Sequence, residues 1–178
     1  MAQQELVLIH KAPAVAQSFM ENLCDRRPTR QSLLDRNAAG LAPASWPVGI
    51  GNLRIARYTW KLYGVHSELL AQNTVLGDWL LARARLTILL VDGDGPGAET
   101  ELRTLLEAHG QPLAGRELAV LIQAAEQPDA DSLARYFTIL RQHGHYVPVE
   151  WAPTERNGVL ASLKAISDSS ATAVDLAA

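Results

Sequence analysis

Short, nearly continuous apolar runs alternate along this chain with longer stretches in which apolar residues recur at helical spacing. The run ELVLI at residues 5–9 has the composition of a strand. Residues 15–26 read as a helix that stops before Pro28, because a proline pushes the residue ahead of it out of the helical region. Residues 28–47 hold Pro28, Gly40, Pro43 and Pro47 with no clear period, which predicts a long loop. A short strand over 48–52, with a hairpin turn near Gly51 and Asn52, leads into a strand over 53–63 rich in β-branched and aromatic residues. Ser67 is placed to cap a helix over 67–84 with Leu69, Leu76 and Leu80 on one stripe. LTILLVD at 86–92 is apolar throughout, as a parallel strand covered on both faces requires, and GDGPG breaks it. Then follow a helix over 98–109, a strand over 117–123, a helix over 131–143 with Leu133, Phe137 and Leu140, a strand over 146–150 and a helix over 158–167. This alternation predicts an α/β three-layer sandwich around a mostly parallel six-stranded sheet with one antiparallel hairpin. One domain spans residues 1–168, and the small-residue tail at 169–178 is expected to be disordered.

Composition narrows the chemistry. With 178 residues, 48% hydrophobic and 20% charged, the chain is long enough for one well-filled core. A formal charge of -3 leaves no cationic excess to neutralise phosphates, so a nucleic-acid partner is not expected. The single Cys24 excludes an internal disulfide and a zinc site built from several thiolates. The wholly apolar run at 88–91 is far shorter than the ~20 residues that span a bilayer. The MAQQE start lacks the basic, apolar opening of a signal peptide, so a cytoplasmic location is expected.

Ligands of parallel α/β folds gather at the carboxyl ends of the strands, which directs attention to the loops there. HKAPAVAQS at 10–18 lies where a phosphate-binding loop would read G-x-x-x-x-G-K-[ST] between strand and helix. In that frame Lys11 stands for the first Gly, Ala16 for the second and Gln17 for the Lys, and Ser18 is retained. KLYG at 61–64 is similar to a D-x-x-G motif with Lys61 for the Asp and Gly64 kept; Val65 follows where a catalytic Gln would stand. QAAE at 123–126 lies where N-K-x-D would be, with Gln123, Ala124 and Glu126 as replacements. Ala152, Pro153 and Thr154 replace an S-A-K ahead of Gly158-Val159. Taken in order, these segments resemble the Ras-like small GTPases, closest to the Arf-like and bacterial gliding-motility or polarity GTPases, over residues 5–167.

The resemblance implies a P-loop-type fold with a degenerate pocket formed by Lys11, Ala16, Gln17, Ser18, Lys61, Gly64, Gln123, Glu126 and Ala152. Side chains at the glycine positions obstruct close approach of the backbone to phosphate, and the lost Lys removes a charge-assisted hydrogen bond. A cation at Lys61 is unsuited to supporting a magnesium ion, and Val65 cannot orient an attacking water. The expectation is a pseudo-GTPase with no cofactor, no metal and no catalysis. It would hold a protein partner, roadblock-type dimers by resemblance, on the former switch surface of Ser45, Trp46, Tyr63, Val65 and Trp79; a homodimer is compatible with this. The alternative is a divergent GTPase with a relocated phosphate lysine, Lys11 or Lys61; a third option is another small ligand in the vacated pocket. Trp60 and Trp79 are also expected as core residues. His143 and His145 read as helix-end residues, Asp92-Gly-Asp-Gly as a turn, and Ser18 lacks the elbow of a nucleophilic serine.

Overall fold

The computed structural model describes residues 3–32, 47–55, 58–145 and 147–175. Along the chain run β1 (Gln3–His10), α1 (Pro13–Leu23), β2 (Thr29–Ser32), β3 (Pro47–Ile55), β4 (Tyr58–His66), α2 (Ser67–Gln72), α3 (Thr74–Arg83), β5 (Leu86–Asp92), α4 (Ala98–Leu113), β6 (Leu118–Gln123), α5 (Ala130–Gln142), β7 (Val149–Ala152) and α6 (Arg156–Asp175). The described strands form one seven-stranded sheet in the order β2-β3-β4-β1-β5-β6-β7. β4, β1, β5, β6 and β7 are parallel, and β3 and β2 join antiparallel at one side.

Side-chain alternation along the strands makes two cores. Val7 and Ile9 of β1 face a cluster with Leu69 and Leu70 of α2, Leu80 and Leu81 of α3, Leu102 and Leu105 of α4 and Ile139 of α5. Leu6 and Leu8 face the other way, against Phe19 and Leu23 of α1 and Val159, Leu163 and Ile166 of α6. The three-layer class is therefore as the apolar pattern indicates.

Several details differ from the pattern. The sheet has seven strands rather than six, because β2 lies inside the expected loop. Its sequence TRQS is polar, and as an edge strand it needs no buried face of its own. Residues 33–46 lie outside the described residues. The hairpin turn is not at Gly51 and Asn52: β3 passes through both to Ile55. The helix expected over 67–84 divides at Asn73, whose side chain accepts from Leu76 N–H and caps α3, while His66 rather than Ser67 caps α2. β7 starts at Val149, after Pro148, and ends just before Pro153. α5 buries Tyr136, Ile139 and Leu140, whereas Phe137 is exposed. α6 runs from Arg156 to Asp175. At the end of α5, Gly144 takes φ 75° as His145 N–H reaches Leu140 O and Gly144 N–H reaches Arg141 O, so the His-Gly-His segment closes the helix.

Glycines set how closely α1 approaches the sheet. Gly49 and Gly64 are partners across β3 and β4. A Cβ on Gly64 would lie 2.4 Å from Met20 Sδ, one on Gly49 2.7 Å from the same atom, and one on Gly51 2.2 Å from Cys24 Sγ. The helix thus seats two sulfur side chains in a trough that has no Cβ atoms. Gly51→Ala is expected to destabilise the fold by about 1–3 kcal/mol in urea unfolding, the usual cost of overpacking. Cys24→Ala in the same chain is expected to recover part of that loss, since it removes the colliding sulfur.

Candidate functional site

The carboxyl ends of the parallel strands present His66, His10, Asp92, Gln123 and Ala152 in turn across the sheet. His10 and His66 are register partners, as are Asp92 and Gln123, and Gln123 and Ala152. The β1–α1 connection consists of Lys11 and Ala12 alone. α1 begins at Pro13, which has no N–H, and Ala16 N–H already bonds to Ala12 O at 3.1 Å. Ala16 is buried against the sheet, while Gln17 and Ser18 are exposed on the outer face of the helix, Gln17 donating to Glu21 at 2.8 Å.

On the other side of this connection lies Glu101, in the first turn of α4. Its Oε2 accepts the Asp92 N–H at 3.2 Å, and the Lys11 backbone acts on the same carboxylate. Burial raises the Glu101 pKa against these contacts, and Oε1 has no partner among the described residues. A shallow depression beside it is lined by Lys11, Ala12, Gly97, Thr100, Glu101 and Thr104. A carboxylate there repels an added anion.

Of the residues singled out in the sequence, Ala16, Gln17 and Gly64 line one cleft and Lys11 lines a separate depression. Lys61 sits inside β4 opposite Glu5, with its Nζ 5.1 Å from the Tyr63 ring centre, five residues before the strand's end. Gly64 is likewise within β4, under Met20. Gln123 is 4% exposed, with Oε1 unpaired among the described residues; Ala152 is fully buried beside it and Glu126 is exposed. Of the expected partner surface, Val65 and Tyr63 are core residues, and Ser45 and Trp46 lie outside the described residues. Trp79 is 48% exposed, not a core residue, whereas Trp60 is buried. The Trp79 ring meets Tyr63 edge-on at 6.2 Å, and Arg83 stacks at 5.0 Å while donating to Glu5 through Nε and Nη2. Val75, one turn earlier on α3, is the most exposed large apolar residue described.

One cleft brings in residues that the motifs do not name. A cleft of about 140 Å³ opens between α1 and the β2–β4 side of the sheet, with His10, His66, Gly49, Gly64 and Met20 inside and Gln17, Glu21, Pro28 and Arg30 around it. His66 Nε2 lies 3.1 Å from Lys11 O, and its Nδ1 accepts from Glu68 N–H at 3.2 Å. The His10 ring meets it edge-on at 5.6 Å, and its Nδ1 has no partner among the described residues. Burial, reinforced by His66, lowers the His10 pKa to about 4. Ser67 Oγ and His109 Nε2, 2.8 Å apart and both 4% exposed, tie α2 to α4 within the core. No group of three or more metal-binding side chains occurs among the described residues. No helix among them is long and apolar enough to cross a membrane.

This is the fold of P-loop GTPase domains. The cytosolic domain of the T. maritima FeoB iron transporter, in a GDP form, is similar with a TM-score of 0.59 and 18% identity over 94% of this chain and 63% of that one. Aquifex aeolicus Era bound to GDP·AlF4⁻ is similar with a TM-score of 0.54 and 13% identity over 86% of this chain and 52% of that one. Era in complex with MgGDPNP and nucleotides 1506-1542 of 16S ribosomal RNA gives the same figures. This chain therefore spans less than two thirds of each neighbour. No family model and no curated protein matches the sequence.

His10 makes stability depend on pH. Its folded value of about 4 lies below the ordinary 6.5, so the unfolded chain binds the proton more readily between these limits. The His10 contribution is complete above pH 6.5 and is lost as pH falls towards 4, by up to about 3 kcal/mol. Urea unfolding across this range is expected to show that decline, and His10→Leu to flatten it.

Proposed function

We propose that this chain is a non-catalytic, GTPase-like protein-interaction module that does without bound nucleotide. The start of α1 at Pro13 carries the reading. Phosphate loops work by presenting successive free backbone N–H groups to the anion. Here Pro13 supplies none, and Ala16 N–H is committed to the helix. Glu101 adds negative charge beside the same connection. The alternative of a relocated phosphate lysine has little support, since Lys61 lies well inside β4 and Lys11 stands beside Glu101.

The partner face centres on Trp79 and Val75 rather than on all of the former switch surface. Arg83 and Tyr63 hold the Trp79 ring in place, which reduces the entropy lost when it docks. The charge of -3 favours a protein over a nucleic acid as partner, and a cytoplasmic complex of the polarity, motility or trafficking kind fits the GTPases it resembles.

Calorimetry with GTP, GDP or ATP plus magnesium is expected to give no saturable heat up to about 1 mM, and micromolar binding overturns the proposal. A roadblock-type dimer is the first partner to test. Replacing Trp79 with Ala and Val75 with Ser is expected to weaken its capture about tenfold or more with the fold intact by circular dichroism. Undiminished capture by that variant rules out this face.

A further inference from the structure

We propose that the start of α2 is an acid-operated latch: protonation of the buried histidines that hold it frees α2 and, with it, the leading end of α3. Of the five histidines in the chain, three gather here. His10, His66 and His109 are all buried. His66 Nδ1 accepts the Glu68 N–H at 3.2 Å and so supplies the N-cap. The next residue, Ser67, meets His109 Nε2 of α4 through its Oγ at 2.8 Å. The His10 ring lies edge-on to that of His66, with centres 5.6 Å apart. α2 has six residues, too few for a helix that stands alone, so its shape depends on these bonds and on the burial of Leu69 and Leu70.

A proton changes what these rings can do. An Nδ1 that accepts an amide N–H carries no hydrogen, so an imidazolium at His66 loses the cap. Facing His66 are His10 of β1, the Lys11 carbonyl, Glu68 of α2, and Glu21 of α1 and Arg30 of β2 across the shared cleft, the last two of opposite charge. Burial lowers the His109 pKa, and Ser67 of α2 acts in the opposite sense. On the α5 side, His145 lies against Gly110, the residue after His109. With its folded value lowered, His109 binds a proton more readily once α2 opens, so its contribution to closure is present at neutral pH and is lost as pH falls.

The two ends of α3 are held differently. Its leading end follows α2 through Asn73, whose N–H reaches Leu69 O at 2.9 Å and whose side chain caps α3. Its far end is fixed by Arg83 on Glu5 and by Arg116 Nη1 on Leu81 O at 2.6 Å. Arg83 lowers the Glu5 pKa, so that anchor persists into acid. Release therefore swings the end that carries Val75 and leaves the Arg83 end in place. The latch is read from α2 alone; its bearing on partner capture rests on the proposed function.

Amide hydrogen exchange by NMR on the full chain tests this, with protection corrected for the intrinsic rate at each pH. Between about pH 7.5 and about pH 4.5, the Glu68 and Asn73 amides are expected to lose about tenfold more protection than the β5 amides. The Ala84 amide, bonded to Leu80 O at the anchored end of α3, should follow β5 instead. The ring nitrogen shifts of His66 and His109 should record proton uptake in step with that loss. His66→Asn keeps an acceptor for the Glu68 N–H at every pH, and His109→Gln keeps a hydrogen bond to Ser67. Each is expected to blunt the extra loss, and the two together to abolish it. The proposal is overturned if α2 loses no more protection than β5, if both rings stay unprotonated while α2 opens, or if the double variant shows the full loss. Where the double variant does not fold, the ring shifts of the native chain decide. No partner enters these measurements, so failure of the latch is told apart from failure of the partner face.

Discussion

Helix α1 rests on a strip of sheet where Gly49, Gly51 and Gly64 offer no Cβ, so Met20 and Cys24 settle directly against the backbone of β3 and β4. That close seating fits a helix that starts almost as soon as β1 ends. The chain turns from strand to helix across Lys11 and Ala12 alone. The same seating leaves a hollow where the first turns of the helix diverge from the β2–β3 side. The proposal that no nucleotide is held here rests on where this one helix sits.

The fold class was legible because a parallel sheet buried on both faces imprints long apolar runs. LTILLVD at 86–92 and the run before Gln123 read as strands and are strands. The elements that escaped were those in which local pattern and tertiary role part company. TRQS carries no apolar face, so its place at the sheet edge is set by pairing with β3 and not by burial. Gly51-Asn52 has turn composition, yet the glycine is there for Cys24. The break at Asn73 is a capping event inside a continuous apolar stripe, invisible to a count of leucines.

The site was less legible than the fold, for a geometric reason. Motif spacing locates residues along a chain, whereas a pocket needs them at the same height on the sheet. Lys61 stands at the level of Glu5, five residues below the level of His10 and His66. Glu101 and Arg30 belong to no motif, because their roles depend on what the helix and edge strand bring beside them. The strand expected over 53–63 stops short of His66, and only the longer β4, paired in register with β1, makes the two histidines neighbours.

The far border of the sheet has its own consequence. β7 has only four residues, fenced by Pro148 on one side and Pro153 on the other, so few main-chain donors are open to an incoming strand. Sheet extension across that border is therefore disfavoured, and copies of this molecule that associate there must meet through helices and not by lengthening the ladder.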